Sequence, residues 1–443
     1  MGEVASRSNI VLGWLSVYLL FLFAIPSRLI IGPLGSAGAP SMLFGLASML
    51  AWFLAQVRSR PDSQSVRKSS LPSRRPIRLA FALFLVSIAV SYTGAMLRPI
   101  DQDEISPADV AVIVAFSWAG IFLTAQDGLA RLRDVELLAR RMAFFGGLMA
   151  LIGLAQFVTK QALVDVISVP GLNSTYDADV FYRNGVVRIV GTATHPIEYG
   201  ALLTILLPIA LHSALQTGTR GLIRRWFPVV TIALALAVSM SRSAYVSLAV
   251  AVGVLLVGWP PRLRLRLGGA IIGVSMLLAL TVPGLLGGIR GMFVTASDDP
   301  SILSRTDSYE MAMEFVARWP WVGRGYGTFL PKFRIFDNTY LGVLVSGGTL
   351  GFVTFVAIPV TAITVLILRR RRWVDERSRD LALALAASIA AGAASLAFFD
   401  GFAFPMTMGT YVLTLGISGA LVRVHDSPEP PGDPPAADPR ERP

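Results

Sequence analysis

Apolar residues along the chain gather into runs of membrane-spanning length, at about 10–25, 40–57, 78–97, 107–125, 142–158, 196–213, 226–240, 243–259, 267–286, 338–368, 381–399 and 403–422. A hydrocarbon core about 30 Å thick takes about 20 residues of helix, so the pattern predicts an all-α polytopic membrane protein of about 12 transmembrane helices. The stretch from Phe227 to Trp259 is too long for one upright span and is interrupted by Ser239, Ser241, Arg242 and Ser243, which splits it into a hairpin. Most breaks between runs are short, but 159–195 and 287–337 are long, and long connections call for a function. In the second, Met311, Phe315 and Trp319 recur at helical spacing, predicting a short amphipathic helix along the membrane surface with Ser304 as its cap. Residues 1–425 thus form one membrane domain, and 426–443, with seven prolines among charged residues, read as a disordered cytoplasmic tail.

Charge then orients the fold. An alternating topology that starts inside places 27 of the 39 Lys and Arg residues on the inner side, and the rest fall mostly in the two long outer segments. By the positive-inside rule both termini are cytoplasmic and the long segments extracytoplasmic. The net charge of +11 therefore sits in loops that set orientation; with no basic helix interleaved with aromatics, it does not indicate nucleic-acid binding. Composition agrees, with 54% hydrophobic and 15% charged residues. The absence of cysteine excludes disulfides, thiolate metal sites and a thiol nucleophile. Arg7 before the first apolar run, without a clear cleavage site, reads as an uncleaved first span.

Polar residues at the outer span ends carry the candidate chemistry. His195, beside Pro196 and one turn before Glu198, is either a helix cap, a packed imidazole held by that carboxylate, or a reactive group. Arg242 at the hairpin turn either snorkels toward headgroups or belongs to a packed polar turn with its serines. Arg305, in the first turn expected after Ser304, is electrostatically misplaced at a positive helix end unless an anion binds there. The glycines around Arg324, in Gly323-Arg324-Gly325-Tyr326-Gly327, would let backbone approach a phosphate. Asp337 and Asn338 make a good N-cap pair where the loop re-enters the membrane.

At these residues the chain resembles the O-antigen ligase and O-antigen polymerase superfamily of bacterial membrane glycosyltransferases. The resemblance rests on Gly-Thr then His-Pro from Gly191 to Pro196, on Ser241-Arg242 in a mid-chain hairpin, and on the large loop with Arg305 that ends Trp-Pro-Trp-Val-Gly-Arg-Gly-Tyr-Gly. Asp337-Asn338-Thr-Tyr340-Leu341 and Gly347-Gly348 follow in order. It implies transfer of a glycan from a polyprenyl-pyrophosphate carrier to a sugar hydroxyl of a glycan or glycolipid acceptor. The reaction would be inverting, free of metal and other cofactors, and placed on the extracytoplasmic side of the inner (cytoplasmic) membrane, among membrane lipids. Arg242 and Arg305 match the superfamily's arginines and would neutralise the departing pyrophosphate, with Arg188 as a third; His195, Arg324, Asn338 and Tyr340 would bind substrate. Where the ligases usually carry histidine before the loop-exit Asn, this chain has Asp337. A carboxylate with an ordinary pKa of about 4 is a weaker base than imidazole unless burial raises it, so Asp337 takes the hydroxyl proton, or His195 does, or Asp337 only orients the acceptor. That departure favours a polymerase over a ligase. The rival class, a lipid-linked oligosaccharide flippase or other transporter, calls for charges along a path through the bilayer and often for repeats; no repeat of fixed period is visible, and Glu198, Arg242 and Asp400 all map near the outer ends.

Overall fold

A computed structural model of the chain describes residues 2–58, 75–174, 181–183, 186–216, 221–281 and 300–426, with 287, 290 and 291. The proline-rich tail after Asp426, read above as disordered, lies outside the described residues. Thirteen α-helices stand among those described: α1 (Gly2–Ala24), α2 (Pro40–Arg58), α3 (Pro76–Met96), α4 (Gln102–Gly128), α5 (Leu132–Thr159), α6 (Pro196–Leu215), α7 (Leu222–Val238), α8 (Arg242–Gly258), α9 (Pro261–Thr281), α10 (Pro300–Arg318), α11 (Thr339–Arg370), α12 (Glu376–Ser395) and α13 (Pro405–Asp426). Seven of them, α2 to α6, α11 and α13, are long and apolar enough by length and composition to cross a membrane; the count of twelve spans is finer than that. The expected split between Phe227 and Trp259 is present, with α7 and α8 meeting at residues 239–241. Where no element was expected in 159–195, there are a 3-10 turn (Leu163–Val166) and short strands. Strand β1 (Leu29–Ile30) pairs antiparallel with β2 (Asn173–Ser174), and β3 (Phe181–Arg183) with β4 (Val186–Arg188), placing Phe181 opposite Arg188.

At the centre stand α6 and α13, most of whose surface is covered by other helices. Between apolar helices in lipid the association energy comes from close packing and interhelical hydrogen bonds, which small residues permit. Helix α13 is built for that. Gly409 faces Tyr18 and Leu22 of α1, Gly416 lies on Phe122 and Ala125 of α4, and Tyr411 fills the space left by Gly392 of α12. Three of its hydroxyls turn back onto its own carbonyls, Thr410 to Met406 (2.8 Å), Thr414 to Thr410 (2.8 Å) and Ser418 to Thr414 (2.7 Å), while Thr407 donates across to the Glu198 carbonyl of α6 (3.2 Å).

The helix ends sort into two sets. One is basic: Asp127 receives Arg75 (2.9 Å), Arg78 (3.0 Å) and the Trp52 indole (3.0 Å), Ser8 donates to Asp134 (2.5 Å), Arg423 donates to the Leu129 carbonyl (2.6 Å), and Arg369 pairs with Asp426. The other gathers His195, Arg242, Asp337 and Asp400.

Helix α11 is broken at Gly348, whose φ of 61° and ψ of −164° are non-helical. A break strands backbone groups that hydrocarbon cannot satisfy. Here the segment Pro320–Gly325 satisfies them: Thr349 N–H donates to the Pro320 carbonyl (2.8 Å) and Leu350 N–H to that of Trp321 (3.1 Å), while Arg324 and Gly325 N–H groups donate to Val345 (2.9 Å) and Ser346 (2.9 Å). The Ser91 hydroxyl of α3 adds a second bond to the Ser346 carbonyl (2.7 Å). The glycines read as a phosphate cradle thus approach another stretch of backbone, because Gly323 has no room for a Cβ against Ser346 and Gly347. Gly348→Ala is expected to cost about 1–3 kcal/mol in backbone strain alone, and its Cβ would lie 2.5 Å from the Trp321 carbonyl. Thermal unfolding in detergent should show a clear drop in midpoint, whereas Gly342→Ala, in open space on the same helix, leaves it unchanged or higher.

Candidate functional site

The His195 segment is fixed from both sides. Gln156 of α5 holds the turn at Gly191 (φ +57°), accepting from the Val190 (3.1 Å) and Gly191 (2.9 Å) N–H groups and donating to the Gly191 carbonyl (3.2 Å). The Thr192 hydroxyl donates to Phe23 at the end of α1 (2.7 Å). His195 is then the N-cap of α6: its Nδ1 accepts the Ile197 N–H (3.2 Å), and Pro196, which lacks an N–H to satisfy, opens the helix. Its ring stands edge-on to Phe181 (5.1 Å) and near Phe404 (6.3 Å). Burial first, and the positive charge of Arg188 second, push the imidazole down to about 4. A neutral ring that accepts at Nδ1 carries its proton on Nε2 and presents a donor there. Glu198 does not hold this imidazole, as its place one turn along the helix had promised. Its buried carboxylate accepts instead from Thr194 N–H (2.8 Å), Met406 N–H (3.1 Å) and the Ser27 hydroxyl (3.3 Å), joining the start of α6 to α13 and to the end of α1.

Beside it lies the α7–α8 turn. Ser239 donates to the Leu236 carbonyl (2.8 Å), Met240 takes a left-handed conformation (φ +49°), and Ser241 and Ser243 share a hydrogen bond (3.1 Å). This is a packed polar turn, and the half-buried Arg242 opens α8 from it. Gly200 of α6 lets Ser241 and Ala244 approach, so this turn and the His195 cap are neighbours. Arg188 lies near enough to both for its charge to act on His195 and on Tyr245.

The third contribution comes from the loop exit. Helix α10 begins at Pro300, so Ser304 does not cap it, and Arg305 lies in its second turn; the Arg305 side chain is outside the described residues. Of the expected face of Met311, Phe315 and Trp319, Phe315 packs with Phe336, Leu341 and Val345, joined there by Ala312 and Val316. Arg334 donates to Ser308 (2.8 Å), and Asn338 caps α11 by accepting from Leu341 N–H (3.2 Å) while donating to the Tyr309 hydroxyl (3.3 Å). The Tyr340 hydroxyl is spent on the Ala393 carbonyl of α12 (2.8 Å). Thr339 ties the exit to the α12–α13 loop, its hydroxyl donating to Phe399 (2.7 Å) and accepting from Gly401 N–H (2.8 Å).

That tie brings Asp400 beside Asp337. Asp400 accepts the Phe402 N–H (3.1 Å) and sits on the loop that carries Phe404 to His195. Burial lifts its carboxyl to about 6 against the pull of the Phe402 and Ala403 N–H groups, and the neighbouring Asp337 charge adds to the rise. Sequence had marked Asp400 only as a charge at a span end. Arg324 is elsewhere, paired with Glu104 of α4 and covered by Phe315, Trp319 and Phe333.

One end of the bundle thus assembles a hydrogen-bond donor at His195, cations at Arg188 and Arg242, and two carboxylates at Asp337 and Asp400. No curated protein matches the chain. Residues 227–356, from within α7 to the middle of α11, match the family model described as O-antigen ligase, a stretch that contains Arg242, Arg305, Arg324, Asp337, Asn338 and Tyr340 and leaves Arg188 and His195 before it. Over these residues the chain is therefore similar to the O-antigen ligase family, as its motifs had indicated.

Proposed function

We propose that the protein transfers a glycan from a polyprenyl-pyrophosphate carrier to a sugar hydroxyl, as an O-antigen polymerase or ligase does, on the extracytoplasmic side of the cytoplasmic membrane with both termini inside. In this reading α10 lies on the surface and the other twelve helices span. One observation carries the proposal: the match to the O-antigen ligase family runs from Arg242 through Asp337, and the folded chain brings the second carboxylate, Asp400, next to that aspartate.

The acceptor hydroxyl gives its proton to Asp337 as its oxygen attacks the anomeric carbon. The bond from that carbon to the phosphate oxygen breaks with its electron pair, and the configuration inverts. The pyrophosphate then bears the departing charge, and planar guanidinium groups answer it with paired hydrogen bonds; Arg242, Arg305 and Arg188 take this part. His195 contributes its Nε2–H to the substrate, since its Nδ1 is engaged in the cap and burial keeps the ring neutral. The base role accordingly goes to Asp337, at the loop exit beside Asp400. Asn338 and Tyr340 hold the shape of the loop exit. The missing histidine places the chain nearer polymerases than ligases.

Arg242→Ala should lower product by about 10²-fold or more at matched membrane abundance, scored as polymer or ligated glycan on gels. Full product from this variant would remove the pyrophosphate clamp. Asp337→Asn should cost about 10²–10⁴-fold in turnover. For Asp400 the sign is fixed: burial raises its carboxyl to about 6, so below that pH it takes up a proton and the negative charge beside Asp337 is lost, and activity falls on the acid side near that pH. Asp400→Asn keeps a capping oxygen and abolishes the titration, so the acid limb of its pH profile should move to lower pH.

A further inference from the structure

Glu104 sits in the first turn of α4, fully buried, a place where a carboxylate is costly unless charges and hydrogen bonds compensate it. Two guanidinium groups do so. Arg98, from the end of α3, donates to one oxygen (3.1 Å), and Arg324, from the large loop, pairs with the other. Arg98 also donates to the Arg324 backbone carbonyl (3.2 Å), so the two arginines are held to each other as well as to the acid. Alongside, exposed Lys332 pairs with Asp103 (2.6 Å), giving the same helix start a second hold on the same loop.

From Arg324 the contacts run on without a gap toward the site. Its Nε donates to the Thr328 carbonyl (3.3 Å), and the Thr328 hydroxyl turns back to Gly325 (2.9 Å), closing a tight bend. The next residue, Phe329, stacks flat on Phe336 at 4.6 Å, and Phe336 is the residue before Asp337. Phe315 of α10 meets both the Arg324 guanidinium (5.5 Å) and the Phe329 ring (5.0 Å).

We infer that Glu104 is a positioning residue: by clamping Arg324 in its buried pocket of rings, it fixes the bend and the Phe329–Phe336 stack that hold Asp337 in place for the acceptor. The inference rests on the glycan-transfer reading for Asp337. It assigns the guanidinium of Arg324 to the fold of the loop, and it makes the start of α4 a partner of the site through that loop. Misplacement by about 1 Å can cost about 10²-fold in rate, so the effect is felt at a distance.

The test uses the full-length protein in membranes. Glu104→Gln, which keeps the shape and drops the charge, is expected to lower kcat by about 10-fold to 10²-fold and raise the acceptor KM, with the donor KM unchanged. A single cysteine introduced at Ile335 reports on the loop itself, against a chain with no cysteine of its own, and its labelling by a soluble maleimide should quicken several-fold in the Glu104→Gln background. If Glu104→Gln fails to accumulate, Arg324→Lys supplies the same readouts, since it keeps the charge and loses the fork and much of the stacking. Unchanged kcat and acceptor KM, with or without faster labelling, overturn the positioning role. Arg242→Ala run in parallel keeps the two ideas apart: full product there sinks the glycan-transfer reading, while loss there beside a fully active Glu104→Gln sinks only this one.

Discussion

A helix interrupted inside a membrane must find partners for its exposed backbone, and the architecture of the large loop follows from how α11 does so. The bonds exchanged between Pro320–Gly325 and Val345–Leu350 are backbone to backbone, and hydrocarbon offers no substitute for them. They demand that the loop come in close, which explains the positive-φ Gly323 against Ser346 and Gly347, and that it be held from its far side, where Gly327 lies against Pro107 of α4. The Glu104 cluster and the aromatic packing of Phe315, Trp319 and Phe333 supply that hold. The position of Asp337, ten residues beyond Gly327, is thus set by a defect in a helix rather than by an uninterrupted one.

Much of the helical order was legible because lipid imposes a simple rule on length and polarity. Each expected apolar run overlaps a helix, and the turn at 239–241 was visible in three serines and an arginine. What escaped was polar and tertiary. Glu198 follows His195 by one turn, and spacing alone pointed its carboxylate at the imidazole; the carboxylate turned inward because Ser27 and Met406, far off in sequence, offered donors to a group that could not stay unpaired. The glycines near Arg324 satisfied a loose phosphate-loop expectation, yet the partner of Gly323 was the kink at Gly348, marked in sequence only by Gly347-Gly348. Asp400 could not be joined to Asp337 without knowing that Thr339 binds Phe399 and Gly401. Nothing in Asp101-Gln-Asp103-Glu104 distinguished a buried ion cluster from an ordinary acidic helix start.

The electrostatic character of the site separates its two halves. Near His195, burial and Arg188 together disfavour a further positive charge, which keeps the ring a neutral donor and leaves the arginines as the fixed cations. Near Asp337, burial first and the Asp337 charge last raise the Asp400 carboxyl, so a proton is welcome on Asp400. A donor-rich, cationic half and a proton-accepting half are arranged around the loop from Leu396 to Phe404, which touches both.

Helix α13 follows the other described helices in chain order, and it occupies the middle. Its Met406 N–H completes the coordination of Glu198, and the residues leading into it carry Asp400 and Phe404. The helices before it in the chain therefore surround an element that is made after them, and the surroundings of His195 are complete only once α13 is in place. Without this segment Glu198 would lose the Met406 N–H and His195 its Phe404 neighbour, so the two sides of the polar cluster would have nothing between them.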